Sequence, residues 1–478
     1  MATIKFGTDG WRAVIADEFT FSNVRIVAQA LADYWKQQHD GTGGSTGNRA
    51  VIGYDHRFLS EKFAEATAEV LSANGITCWL SDGAATTPGV SFAVKKHGLV
   101  GGVMITASHN PPQFNGFKVK GAYAGPADPE ETSQVEKLIG ATEPKRLLLR
   151  DAMGQGRVVL RGLRAEHAKA IRDYVDWPRL KRARLRAVHD SMHGTGKTFF
   201  SELLKGSNTR VVTIRATRDP LFGGLPPEPI EQNLGALQQY LRKHPADIGL
   251  ATDGDADRLG ATDGHGNYLT PHQILALLLL HLARNRKQRG AVVKSINMSA
   301  WCKRIADALG LECIETPVGF KHTCKLMRAK DVLIGVEESG GYGVRGHIPE
   351  RDGFLAGMLL LEMLAVEKKG IPRLLAQLDK EFGKLRFGRV DMHIEPGDRN
   401  AFFTALKAAS PTTLGKSTVD KIQTEDGIKW LAGDAPWLLV RASGTEPVVR
   451  VYAEAEGERG VAELLKAGEK LVKNAIKK

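Results

Sequence analysis

Two short stretches of this chain carry residue types whose spacing suits phosphoryl chemistry. In Thr252-Asp253-Gly254-Asp255-Ala256-Asp257-Arg258, three carboxylates fall on alternate positions with small residues between them. Such a tight loop can bring the three onto one hard cation, and without a cation they would repel one another strongly. An EF-hand is excluded, because it needs Gly in place of Arg258 and Glu in place of Gly264. Three protein carboxylates leave coordination positions open, which is how Mg²⁺ holds a phosphoryl oxygen. The other stretch is Thr106-Ala107-Ser108-His109-Asn110-Pro111. A serine hydroxyl flanked by His109 and Asn110 can act as a nucleophile or carry a phosphate, and the same residues can equally form an ordinary turn.

Both stretches need strands to aim them. Leu99 to Ile105 is a short apolar run bounded by glycine and ended by Pro111-Pro112, so Ser108 is expected just past the C-terminal end of a buried strand. That is where open α/β sheets place ligands. Ala246 to Ala251 reads as the strand feeding the aspartate loop. Upstream of Ser108, Thr20 to Gln38 has a helical apolar period, Ala50–Tyr54 and Ile76–Leu80 read as strands, and a helix covers about residues 60–74. Asn115-Gly116 reads as a turn that returns Lys118 to the serine loop. There a lysine can serve as acid, base or charge clamp, or simply point to solvent. Near the N-terminus, Phe6-Gly7-Thr8-Asp9-Gly10-Trp11-Arg12 offers a curled backbone and, in Arg12, a guanidinium suited to phosphate.

Ser191-Met192-His193-Gly194-Thr195-Gly196-Lys197-Thr198 misses a Walker A loop only at its first position, so a P-loop NTPase is the reading from another mechanistic class. Against it, no apolar strand ending in a lone aspartate is clear downstream. Composition narrows the field further. The 478 residues exceed one ordinary core, and 42% hydrophobic with 25% charged residues is globular. The longest apolar run, Ile274 to Leu280, is far shorter than the ~20 residues of a membrane span, so no membrane association is expected. No Arg- or Lys-led signal peptide is evident, and Cys78, Cys302, Cys313 and Cys324 form no CxxC pair. Free thiols in a reducing cytoplasm are expected. The net charge of +12 raises nucleic acid as a partner, but the basic run Arg179 to Arg186 lacks aromatic residues for base stacking. A positive field would serve a small dianionic substrate as well.

The motifs fall in an order that resembles the α-D-phosphohexomutases, the phosphoglucomutase and phosphomannomutase superfamily, over essentially the whole chain. The resemblance implies that Ser108 carries the phosphoryl group, and that Asp253, Asp255, Asp257 and the phosphate on Ser108 hold Mg²⁺. Arg258 matches the arginine near the reacting phosphate, while Arg12 and Lys118 match phosphoserine contact and proton transfer. His109 belongs to the same catalytic loop. It also likens the Walker-like segment to a glycine turn of the second domain. Thr316-Pro317-Val318-Gly319-Phe320-Lys321 and Glu337-Glu338-Ser339-Gly340-Gly341 resemble the loops that select the sugar. Glu337 and Ser339 would bond ring hydroxyls, and Lys321 would lie near the reacting oxygen. In Arg441-Ala442-Ser443-Gly444-Thr445-Glu446-Pro447, the residues Arg441, Ser443, Gly444 and Thr445 form a phosphate cradle, reinforced by Arg450.

The expected architecture is four domains around a central cleft: three similar mixed α/β units and a smaller α+β domain. Residues 1–150 would hold the phosphoserine loop and 151–262 a linker and the metal loop. Residues 263–382 would hold the sugar loops and 383–478 the phosphate cradle. The implied reaction interconverts glucose 1-phosphate and glucose 6-phosphate through glucose 1,6-bisphosphate. Glu-Glu-Ser-Gly-Gly is more like bacterial phosphoglucomutases than the Glu-Met-Ser or Glu-Gln-Ser forms of phosphomannomutases and phosphoglucosamine mutases, and dual glucose/mannose activity stays open.

Overall fold

The computed structural model describes residues 4–39, 48–394, 399–442 and 448–476. Three α/β units repeat one topology. In the first, the strands Phe114–Gly121, Gly101–Ile105, Arg49–Tyr54 and Thr77–Ser81 lie in that spatial order. The second repeats it with Leu259–Asp263, Ile248–Thr252, Arg186–Asp190 and Arg210–Ile214. The third does so with Gly341–Val344, Val332–Glu337, Ala291–Ser295 and Cys313–Thr316. In each unit three strands run parallel, and the strand at one side returns antiparallel from its neighbour. The turn into that antiparallel strand holds Ser108 in the first unit, Asp253 to Asp257 in the second and Glu338 to Gly340 in the third. Three equivalent hairpins thus present three different sets of polar side chains.

The buried strands are apolar on both faces because helices cover both sides. Gly101–Ile105 is buried at every position, as are Ile248–Thr252 and Val332–Glu337. The second and third units share one core, through which runs the almost wholly buried helix Gly353–Glu367. Asp352 caps that helix, accepting hydrogen bonds from the amides of Phe354 and Leu355. The run Ile274 to Leu280 belongs to the helix Pro271–Leu280, opened by a Thr270/Gln273 capping box. Among the described residues no helix is long and apolar enough to cross a membrane.

Asn115-Gly116 is not a turn. Both residues lie within Phe114–Gly121, where they pair with Ala13 and Arg12. Gly116 is needed there because a Cβ would lie 2.5 Å from the Thr106 carbonyl and 2.8 Å from that of Trp11. The loop carrying Ser108 is itself the hairpin connection, and Lys118 returns opposite Met104. The start of the 151–262 segment is also more ordered than a linker: Val158–Arg161 adds a parallel strand beside Thr77–Ser81, so the first sheet runs on past residue 150. The fourth unit has an antiparallel sheet in the order Leu385–Met392, Val449–Glu456, Trp437–Ala442, Ile428–Leu431 and Lys421–Gln423, backed by the helix Gly457–Ile476.

Candidate active site

Ser108 stands with φ of 52° at the apex of its hairpin, an uncommon backbone state for serine that the surroundings enforce. Its amide donates to Thr106 Oγ1 at 2.8 Å, and that hydroxyl donates to the buried Asp55 at 2.6 Å. From outside the hairpin, the fully buried Arg57 guanidinium donates to four carbonyls: Ser108 (2.7 Å), Asn110 (2.6 Å), Pro111 (2.8 Å) and Phe114 (3.0 Å). Asp55 lies 3.2 Å from Arg57 and compensates its charge. Neither residue was singled out from sequence; their signal is a charged Asp-His-Arg trio directly after a strand.

The aspartate loop meets the serine face to face. Ser108 Oγ donates to Asp253 Oδ2 at 2.8 Å, and a Cβ on Gly254 would lie 2.5 Å from the Ser108 carbonyl oxygen. Thr87 anchors Asp255 by donating its amide to the carbonyl and its hydroxyl to Oδ2. Lys118 Nζ reaches Asp255 at 2.8 Å, Asp257 at 3.1 Å and Asp9 at 2.9 Å, and it is fully buried. Burial works against its charge, but the three carboxylates outweigh that and hold Lys118 as an ammonium ion. Lys118 is therefore a charge clamp in this state and not a base. Asp253 lacks such a cation: burial first, then Asp255 and Asp257, push its carboxyl far above the usual range.

These residues fit a divalent cation. Oxygens of Asp253, Asp255 and Asp257 lie within 4.8 Å of one another, and Oδ1 of both Asp255 and Asp257 is buried without a hydrogen-bond partner. Unpartnered carboxylate oxygens in a buried site are costly unless an ion takes them. Cations surround the Ser108 loop. Arg12 donates to Asn110 Oδ1 at 2.6 Å, and Arg258 lies 3.6 Å from Glu228 with its amide on Asp253 Oδ1. His109 Nδ1 lies 3.4 Å from Ser108 Oγ. Burial and the cations Arg258, Arg12, Lys118 and Arg57 keep that imidazole neutral.

The loop Glu337 to Gly341 is tied to the aspartate loop by main chain. Leu259 donates its amide to Gly340 O at 2.9 Å, and Arg258 bridges Gly341. Glu337, at the end of its strand, is buried and faces Arg351 at 3.4 Å. Burial raises its carboxyl despite Arg351 and Arg258. Ser339 is half-buried on the same loop. Lys321 lines a small cavity with Thr8, Asp9 and Gly10. Arg351, unremarked in the sequence reading, joins the parts: it pairs with Asp9, with Asp257 at 2.8 Å and with Glu337. Its signal is the charged Glu350-Arg351-Asp352 run ahead of a helix.

In the fourth unit Arg441 and Arg450 occupy directly opposed positions on neighbouring strands. Ser443, Gly444 and Thr445 lie outside the described residues. The Walker-like segment cradles no phosphate. Its amides are spent on protein carbonyls and a hydroxyl: His193 on Arg215, Gly194 on Ser191, Thr195 on Gly254, and Lys197 on Ser191 Oγ. Gly194 and Gly196 press on the aspartate loop, where Cβ atoms would lie 2.7 Å from Asp253 O and 2.5 Å from Thr252 Oγ1. The segment is a buttress for the metal loop.

Comparison with known proteins gives the same four-part division. Residues 3–146, 165–266 and 270–382 match the family models for phosphoglucomutase/phosphomannomutase alpha/beta/alpha domains I, II and III, and residues 397–469 match the C-terminal domain. A phosphoglucomutase/phosphomannomutase of Thermococcus kodakarensis is 30% identical over 473 residues, 99% of each chain. A probable phosphoglucosamine mutase of Pyrococcus abyssi is 31% identical over 477 residues, 99% of this chain and 98% of that one. Among solved structures, a putative phosphomannomutase from Thermus thermophilus superposes with a TM-score of 0.86 at 36% identity, covering 99% of both chains.

Proposed function

The chain belongs to the phosphoglucomutase/phosphomannomutase family and is a phosphohexomutase; within that class we propose that it interconverts glucose 1-phosphate and glucose 6-phosphate. The observation that carries this reading is the 2.8 Å contact of Ser108 Oγ with Asp253, beside two unpartnered carboxylate oxygens and four cationic side chains.

The working enzyme carries a phosphoryl group on Ser108. The phosphorus–Oγ bond breaks as the free hydroxyl of the hexose phosphate bonds to phosphorus, giving glucose 1,6-bisphosphate. The hydroxyl proton ends on the departing Ser108 Oγ, relayed by His109 Nδ1, which is neutral and 3.4 Å from that oxygen. The bisphosphate turns over in the cleft, its other phosphate returns to Ser108 Oγ, and the serine proton passes to the sugar oxygen that the phosphate leaves. Asp253, Asp255 and Asp257 would hold Mg²⁺, which supplies neutralisation of the charge on the transferred phosphoryl oxygens. Lys118 keeps Asp255 ionised for that role and pairs with Asp257 at 3.1 Å, and Arg12 and Arg258 would neutralise the same oxygens. Arg441, with Ser443, Gly444, Thr445 and Arg450, grips the phosphate that is not reacting. The cytoplasm suits its free cysteines.

Glucose is favoured by the Glu337-Glu338-Ser339 loop, which offers two carboxylates and a hydroxyl to ring hydroxyls. The test is a coupled assay with Mg²⁺ and a trace of glucose 1,6-bisphosphate, comparing glucose, mannose and glucosamine 1-phosphates by kcat/KM. At least tenfold preference for glucose is expected; comparable rates with mannose would make it a dual enzyme, and preference for glucosamine would overturn the assignment. Ser108→Ala should abolish both turnover and the mass gain of one phosphoryl group on incubation with the bisphosphate.

A further inference from the structure

A row of charge crosses the fourth sheet. Asp391 stands opposite Arg450, and Arg450 stands opposite Arg441. Two guanidiniums directly opposed across a ladder repel each other. Each has a carboxylate at its outer side: Asp391 Oδ2 is 3.5 Å from Arg450 Nε, and Asp426 Oδ1 is 2.7 Å from Arg441 Nε. Asp426 comes from the turn between Lys421–Gln423 and Ile428–Leu431. Gly427 presses that turn onto the Arg441 strand: with φ of 93°, it has Val440 O 2.4 Å and Arg441 Cα 3.1 Å from where a Cβ would be. No bulkier residue would let Asp426 come so close.

Asp426 also reaches beyond its own domain. Its Oδ2 accepts the amide of Val318 at 2.8 Å, in the loop of the third unit that leads to Lys321. One carboxylate therefore holds the cradle arginine with one oxygen and the sugar-side loop with the other. We propose that Asp426 is a positioning residue for substrate: it fixes Arg441 through Nε and registers that guanidinium against the third domain. An arginine so held loses less freedom when it meets a phosphate, so the benefit appears in affinity. The proposal rests on the reading of Arg441 as the grip on the non-reacting phosphate.

The test measures steady-state kinetics with glucose 1-phosphate for wild type, Arg441→Ala, Asp426→Asn, Asp426→Glu and the double variant Asp426→Asn/Arg441→Ala. Asp426→Asn should raise KM about tenfold with kcat within about twofold, and Asp426→Glu should recover part of the loss. In the Arg441→Ala background, Asp426→Asn should add almost nothing, because the group it positions is gone. Unchanged KM in Asp426→Asn, or a full additional loss in the double variant, would overturn the proposal. Should Arg441→Ala itself leave KM unchanged, the cradle reading and this proposal both fall, while phosphorylation of Ser108 by the bisphosphate would still report on the mutase reading separately. Thermal melts of each variant show whether the fold is kept.

Discussion

Arg351 and Asp257 meet at 2.8 Å, and through that contact the third domain grips the metal loop of the second. The same guanidinium reaches Glu337 at 3.4 Å and pairs with Asp9 of the first domain. A planar fork can serve three carboxylates at fixed angles, whereas an ammonium is a single point of charge. Arg351→Lys should therefore lower kcat/KM about tenfold to a hundredfold and narrow the proposed preference for glucose, since Glu337 loses its alignment. Arg351→Met should cost more. Kinetics with glucose and mannose 1-phosphates check both; an unchanged sugar preference in Arg351→Lys would break the link to Glu337.

Lys118 neutralises Asp9, Asp255 and Asp257 from a fully buried position. Removing one partner of a buried ion cluster costs about 3–5 kcal/mol. Lys118→Met should lower the melting temperature of the metal-free protein markedly. Mg²⁺ should then restore more stability to the variant than to the wild type, because it takes over the charge that Lys118 left. Melts with and without Mg²⁺ measure this, and an equal Mg²⁺ effect on both proteins would show that Lys118 and the metal do not share these carboxylates. Turnover should stay low even when stability returns.

The loops were far more legible in the sequence than their fastening. Asp253, Asp255 and Asp257 announce themselves because alternate carboxylates have few purposes, and an apolar strand ending in Ser108 has a place in any α/β sheet. Arg57 and Arg351 act mainly through backbone carbonyls and carboxylates far away along the chain, so their only local signal is a short charged run, which does not tell what they hold. Asn115-Gly116 misled for a related reason. Its glycine answers a close approach by Thr106 and Trp11 carbonyls across the sheet, which a local turn rule cannot distinguish. The Walker-like glycines likewise answer contact with the aspartate loop.

Arg57 is the clearest case of remote fastening. Its four hydrogen bonds close the Ser108 hairpin, and its ring-facing side lies 5.0 Å from Phe222 of the second domain. Arg57→Met would remove those four hydrogen bonds and leave Asp55 without its countercharge. Amide exchange across residues 106–114 should then accelerate by at least tenfold, and phosphoryl transfer should fall with it, while the melting of the fourth domain stays unchanged. Protection equal to wild type in that hairpin would mean that other contacts hold Ser108.

The interface between the third and fourth domains should respond to acid through Glu315. Its carboxylate pairs with Lys294 and, at 3.2 Å, with Lys429, and accepts from Gln423 at 2.9 Å. Burial opposes its charge, but Lys294 and Lys429 hold its pKa at about 2 against an ordinary 4.5. A carboxyl depressed on folding stabilises the protein above its unfolded pKa, and that stabilisation is lost as pH falls toward the folded one. At neutral pH it amounts to at most about 3 kcal/mol, less the screening at its exposed edge. Glu315→Gln should thus lower the melting temperature most at pH 6–7, and the difference from wild type should shrink by about half near pH 3. Lys429 adds a second signature. Burial, then the neighbouring Lys294, lowers its amine to about 7, so removing Glu315 should lower it further, to below neutrality. Paired melts across pH 3 to 7 decide the matter: a penalty independent of pH would show that Glu315 acts by packing and hydrogen bonding, not by charge.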